Sequence, residues 1–140
     1  HLVKPLGFSI DDKHLKRAGL DYWDLLEVHI HENYQALVEY LKGRRFWFNT
    51  TKAEKSYTDV RFTDEDVLVF GKETKGLPEE LLAAHPEQCI RIPMRAEARS
   101  LNLSNAVAIV SYEALRQLDF PTLAQKGHLP EVKGDSHEYV

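Results

Sequence analysis

The densest hydrogen-bonding chemistry in this sequence lies in Arg95-Ala96-Glu97-Ala98-Arg99-Ser100-Leu101-Asn102-Leu103-Ser104-Asn105. Two arginines, two serines and two asparagines sit between Pro93 and a strong helix pattern. They place donors and acceptors of every type beside the free backbone N–H groups of a helix start. Capping by Ser104 or Asn105 explains part of this and leaves the density of the rest unexplained. A second candidate is Gly71-Lys72-Glu73-Thr74-Lys75-Gly76, which follows an apolar run and precedes a helix. Its glycines have phosphate-loop separation, but Leu77 stands where that motif requires Lys and then Ser or Thr. A nucleoside-triphosphate site is therefore disfavoured. No Gly-x-Gly-x-x-Gly occurs, which removes the main argument for a dinucleotide site. What glycine does offer at the carboxyl end of a parallel strand is backbone that a ligand can approach. Two turn glycines without a ligand are the competing reading.

Other polar groups carry less. His29 and His31 lie two apart and point to one side of a strand, but no carboxylate or cysteine cluster completes a metal site, so no metal is expected. The lone Cys89 reads as a small buried residue. Lys13, Lys16 and Arg17, then Arg44 and Arg45, form basic clusters that could hold phosphates. Asp11, Asp12, Asp21 and Asp24 make a solvated mixed-charge face an equal alternative.

The elements that must position these groups alternate in type. His1-Leu2-Val3 reads as a short strand and Lys13–Ala18 as a short helix closed by Gly19. Leu25–His31 reads as a strand and Glu32–Leu41 as a helix stopped by Gly43. Phe46-Trp47-Phe48 is strongly β-prone, residues 52–65 read as loop, and Val67–Phe70 has the continuous apolar character of a strand buried on both faces. Pro78 starts a helix with Glu79 and Glu80 in its first turn; Cys89–Ile92 is a strand closed by Pro93; residues 94–103 are a polar loop. The longest helix then runs to about Leu118. Such alternation predicts an α/β fold, a mostly parallel sheet with helices on both faces. Between Ala106 and Leu115 only Ser111, Tyr112 and Glu113 are polar. A helix apolar nearly all round must be covered on more than one side; in a chain this small that predicts a homodimer, with a central helix buried within one chain as the alternative. The tail from Pro121 is polar and is expected to be loosely held.

Composition sets the outer bounds. The chain has 140 residues, 43% hydrophobic and 29% charged, the profile of one globular domain. A formal net charge of −4 argues against nucleic-acid binding by bulk charge and leaves room for a local basic patch. One cysteine excludes an internal disulfide framework and fits a reducing cytosol. The longest apolar runs, such as Ala106–Val110, fall far short of the ~20 residues a bilayer span needs.

Three segments together resemble a known family. They are His1-Leu-Val-Lys-Pro-Leu-Gly-Phe with Arg17-Ala-Gly-Leu-Asp-Tyr22, Val69-Phe-Gly-Lys-Glu-Thr-Lys-Gly-Leu-Pro78, and Ile90-Arg-Ile-Pro-Met94 through Arg99-Ser-Leu-Asn-Leu-Ser-Asn105 to Tyr112-Glu113. They are similar to the trefoil-knot (SPOUT) RNA methyltransferases, most closely the small tRNA wobble-nucleotide 2′-O-methyltransferases. The resemblance covers the chain to about residue 121, taken as one methyltransferase domain, with 122–140 as a tail. It implies a deep C-terminal knot, S-adenosyl-methionine as methyl donor, a cytoplasmic homodimer joined through the knot helices, and 2′-O-methylation of cytidine or modified uridine at tRNA position 34. It further implies a first βα unit, about thirty residues, ahead of His1, carrying an arginine that acts on the ribose hydroxyl; this sequence starts after it. An inactive cofactor-binding RNA module and a 2′-O-methyltransferase acting on another RNA are the alternatives.

The resemblance also assigns residues. Asn49, Thr50, Gly71, Glu73, Gly76, Ile90, Ile92, Met94, Ser100, Leu101 and Leu103 match cofactor positions. Asn49 departs from the apolar residue expected there, which points to a contact through its backbone. Glu73, Ser100, Asn102 and Tyr112 match catalytic positions, with Glu73 placing the arginine and Tyr112 at the dimer seam. Lys13, Lys16, Arg17, Arg44, Arg45 and Arg99 are the candidates for phosphates of the tRNA anticodon stem-loop.

Overall fold

The computed structural model describes residues 1–5, 26–72, 75–98 and 101–132. The expected helix Lys13–Ala18 lies outside them, as do Lys13, Lys16, Arg17, Glu73, Arg99 and Ser100. The chain forms two compact units, His1–Arg44 and Arg45–Val140.

In the first unit, β1 (Leu2–Val3) pairs in parallel with β2 (Ile30–His31), Leu2 opposite Ile30 and Val3 opposite His31. Of the strand expected over Leu25–His31, Ile30 and His31 are the strand residues among those described. Helix α1 (Tyr34–Tyr40) is capped by Asn33, whose Oδ1 accepts the Ala36 N–H at 2.8 Å. The His29 and His31 rings do share a side, and with His1 and Tyr40 they form a cluster: His1 stacks on His29 at 4.9 Å and on His31 at 5.2 Å. Among the described residues no group of three or more His, Cys, Asp or Glu is placed to hold a metal ion.

The second unit is built on a four-stranded parallel sheet, order β4-β6-β3-β5, from β3 (Phe46–Asn49), β4 (Lys55–Ser56), β5 (Val67–Val69) and β6 (Cys89–Arg91). Side chains alternate along the strands. Trp47 and Ile90 therefore face one side, where they join Phe62 and Val110 of α3 (Leu103–Gln117) in the core. Phe48 and Cys89 face the other, toward α2 (Glu79–Ala84): the Phe48 ring stacks on His85 at 5.2 Å, and Cys89 Sγ lies 3.8 Å from the Leu82 carbonyl. One helix thus covers each face, as alternation predicted. Strand β5 is only half-buried, not enclosed on both faces, since among the described residues it pairs with β3 alone and forms an edge.

Asp66 holds the amino ends of β3 and β5 together. Its carboxylate accepts from Arg45 Nη2 (2.8 Å), Trp47 Nε1 (2.8 Å), the Thr63 N–H (3.0 Å) and Thr63 Oγ1 (2.8 Å). Arg45 also donates to the Arg61 carbonyl at 2.7 Å and lies 4.7 Å over the Trp47 ring. The Asp66 side chain is 5% exposed. Burial alone would raise its pKa, but the surrounding donors outweigh that and hold it at about 2.

The segment expected to be featureless carries structure. Ser56 Oγ caps a 3-10 turn (Tyr57–Asp59) and Asp59 reaches back to the Ser56 N–H at 3.1 Å, a reciprocal capping box. Beyond it Phe62 enters the core, and its N–H donates to Gln117 Oε1 at 2.8 Å while Gln117 Nε2 donates to the Val60 carbonyl at 3.0 Å. One amide thereby pins the end of α3 to this segment. After α3, residues 121–132 are exposed and have no helix or strand.

Two stability outcomes follow. Because the folded pKa of Asp66 (about 2) lies below its unfolded value of about 3.9, its contribution is complete above pH ~4 and disappears as pH falls through 2. Denaturant melts should find Asp66→Asn roughly 1–2 kcal/mol less stable at neutral pH, with the gap closing toward pH 2. Gln117→Ala strands the Phe62 N–H and should cost about 1–2 kcal/mol in the same melts.

Candidate functional site

Parallel strands all end on the same side, and the carboxyl ends of β3, β5 and β6 open on one cavity of about 470 Å³. That is the edge at which open parallel sheets bind ligands, and the size suits a small molecule. Asn49–Lys52 continue from β3, Phe70–Lys72 from β5 and Arg91, Ile92 and Met94 from β6; Leu101–Leu103 and Ala106 close the cavity from the start of α3.

Local geometry explains each wall. The β3 loop is held to β6 where the Thr50 N–H donates to the Ile90 carbonyl at 2.9 Å and Arg91 Nη1 donates to the Thr51 carbonyl at 2.9 Å. Gly71 (φ 137°) and Gly76 (φ 72°) occupy backbone regions that side-chain-bearing residues avoid. The Gly76 N–H donates to the Lys72 carbonyl at 3.1 Å.

The cap of α3 is Asn102, not Ser104 or Asn105. Its Oδ1 accepts the Ser104 and Asn105 N–H groups at 3.0 and 3.4 Å. A capping side chain reaches the second and third helical N–H groups, and with Leu103 as first helical residue those are the ones at 104 and 105. Asn102 therefore has a structural task, with its Oδ1 committed to the cap, and it also lines the cavity.

Eight of the expected cofactor residues line this cavity: Asn49, Thr50, Gly71, Gly76, Ile92, Met94, Leu101 and Leu103. Ile90 does not; its side chain is 0% exposed in the core under α3, because it faces inward from a central strand. Tyr112 lies further along α3, 60% exposed and away from the cavity lining. Arg45 belongs to the Asp66 clamp, so its guanidinium is already committed to structure rather than to phosphate. Arg44 is exposed. Sequence reasoning missed Lys52, Phe70, Lys72, Leu77, Arg91 and other lining residues; their nearness to the glycine loop and to the strand ends was the available signal.

Asn49 carries an unresolved demand. Its Nδ2 donates to the Val69 carbonyl at 3.0 Å, bridging β3 to β5, which leaves Oδ1 buried with no hydrogen-bond partner. A buried acceptor left unpaired costs about 1–3 kcal/mol.

Comparison with known proteins agrees with this geometry. Residues 1–112 match the model of the SpoU rRNA Methylase family. A tRNA (cytidine(34)-2′-O)-methyltransferase from Methylovorus glucosotrophus is 52% identical over 121 residues, 86% of this chain and 79% of that protein. A structure solved to give insight into the 2-OH methylation of C/U34 on tRNA superposes with a TM-score of 0.79 at 45% identity, covering 85% of this chain and 78% of that one. An AdoMet-bound rRNA methyltransferase from Sinorhizobium meliloti superposes at 0.64 with 26% identity, covering 84% of this chain and 45% of that one. With its family match running through both compact units, the chain belongs to the SpoU methylase family.

Proposed function

We propose that this chain is an S-adenosyl-methionine-dependent 2′-O-methyltransferase acting on the wobble nucleotide of tRNA, cytidine or modified uridine at position 34. The observation that carries the reading is the cavity at the strand ends, whose walls hold eight of the residues that the family resemblance assigns to the cofactor. Relatives about half identical over most of the chain carry the same activity in their names. On the same resemblance, 1–121 is one methyltransferase domain with a C-terminal trefoil knot, working in the cytoplasm.

The lining suits the cofactor chemically. Phe70, Leu77, Ile92, Leu101 and Leu103 give an apolar wall for a purine and thioether. When bound, the sulfonium supplies an electrophilic methyl group. The chain's task is then alignment, worth on the order of 7–11 kcal/mol at best. The loops after β3, β5 and β6 fix the donor against the sheet edge, and the apolar wall excludes water. The Asn102 NH2 end and Ser100 orient donor or ribose. Glu73 places the arginine that acts on the hydroxyl. Exposed Ile109 and Tyr112, three apart on α3, provide the face through which a second copy docks, bringing Tyr112 to the reacting hydroxyl. Lys13, Lys16, Arg17, Arg44 and Arg99 hold anticodon-stem phosphates.

Isothermal titration with S-adenosyl-homocysteine should give saturable binding, and ligand at 100 times its Kd should stabilise the fold by about 2.7 kcal/mol. No saturable heat would overturn the cofactor reading. Asn102→Asp keeps a capping oxygen and should melt within about 0.5 kcal/mol of the wild type. Its kcat on tRNA should nevertheless fall about 10²-fold through lost alignment. Unchanged kcat would confine Asn102 to capping.

A further inference from the structure

The cavity is lopsided in charge. Among the described residues its lining includes four cations, Lys52, Lys72, Lys75 and Arg91, and no acidic side chain. The whole chain carries a formal charge of −4, so this is a local arrangement and not bulk composition. Two of the four are engaged: Lys52 Nζ pairs with Glu79 Oε1 at 2.6 Å, and Arg91 donates to the Thr51 carbonyl. Lys72 and Lys75 have no ion-pair partner among the described residues. Both line the cavity next to a positive-φ glycine, Lys72 beside Gly71 and Lys75 beside Gly76, and the Gly76 N–H donates to the Lys72 carbonyl.

Two ammonium groups with no ion-pair partner among the described residues, both lining one cavity, suit an anion. The cofactor meets that demand poorly. Its carboxylate is balanced by its own ammonium, and the sulfonium leaves the molecule net positive, so it supplies no net negative charge for the two lysines. RNA meets the demand well, because each ribose has a phosphate on either side and the acceptor ribose must reach this cavity. We infer that Lys72 and Lys75 are RNA-positioning residues that hold the backbone phosphates flanking the acceptor ribose. The inference rests on the methyltransferase reading and gives a role to two residues of the glycine loop to which the family resemblance assigned none. It also reconciles an acidic protein with a polyanionic substrate, since attraction is needed only where the strand enters.

The test measures tRNA binding by the full chain as a function of salt, together with S-adenosyl-homocysteine binding, for Lys72→Gln, Lys75→Gln, the double variant and the Lys→Arg pair. Each lysine-to-glutamine change should lower the slope of log K against log [salt] by about 0.7, one released counterion per phosphate on a single strand. KM for tRNA should rise with kcat nearly constant, the homocysteine affinity should stay within about twofold, and Lys→Arg should restore the slope. An unchanged slope, or a loss of homocysteine affinity in place of tRNA affinity, would overturn the assignment. A wild-type chain that binds the cofactor product but no tRNA would overturn the substrate reading itself, and this inference with it.

Discussion

A buried carboxylate fixes the frame on which the rest depends. Asp66 gathers donors from Arg45, Trp47 and Thr63, and so ties the start of β3 to the turn that enters β5. Register is the quantity at stake. Slipping a strand by one residue would exchange its faces, turning Trp47 out of the core and moving the chain ends that form the cavity. Hydrophobic burial alone tolerates such slips among Phe46, Trp47 and Phe48, which are all large and aromatic. A charge with several directional donors does not, because leaving it unpaired in the interior costs several kcal/mol.

From that frame the site follows by topology. Parallel strands must end together, so Asn49, Phe70 and Arg91 lead their loops to one edge, and α3 returns across the sheet to close the fourth wall. One feature of the wall is costly in isolation: Lys72 and Lys75 have no ion-pair partner among the described residues. It makes sense if the cavity is completed by a ligand. A fold that sacrifices local satisfaction at one place commonly does so for function.

Much of this was legible in the residues. The strands around Trp47, Leu68 and Ile90 declared themselves by apolar runs, and the helices by caps, glycine stops and spacing. Most of the cavity lining was reachable from the glycine loop and the segment before α3, once joined by family resemblance. The failures have physical causes. β4 is two residues long, too short for any period to show, although the Ser56–Asp59 spacing was a capping-box signal that could have been read. The Asp66 clamp joins residues about twenty apart through side-chain geometry, which no local pattern encodes. Ile90 lies in the core and not in the cavity lining, because alternate residues of a strand face opposite sides, which its apolar type alone does not reveal. Asn102 hid its capping role behind two better-placed rivals, Ser104 and Asn105.

The central claim is that this cavity delivers a methyl group to one ribose oxygen. Incubating the protein with tRNA and cofactor carrying a deuterated methyl group, then digesting the RNA and weighing its nucleosides and fragments, tests it most directly. The account predicts a single trideuteromethyl label on the ribose of nucleotide 34. A label on a base, or on a ribose elsewhere in the RNA, would contradict it.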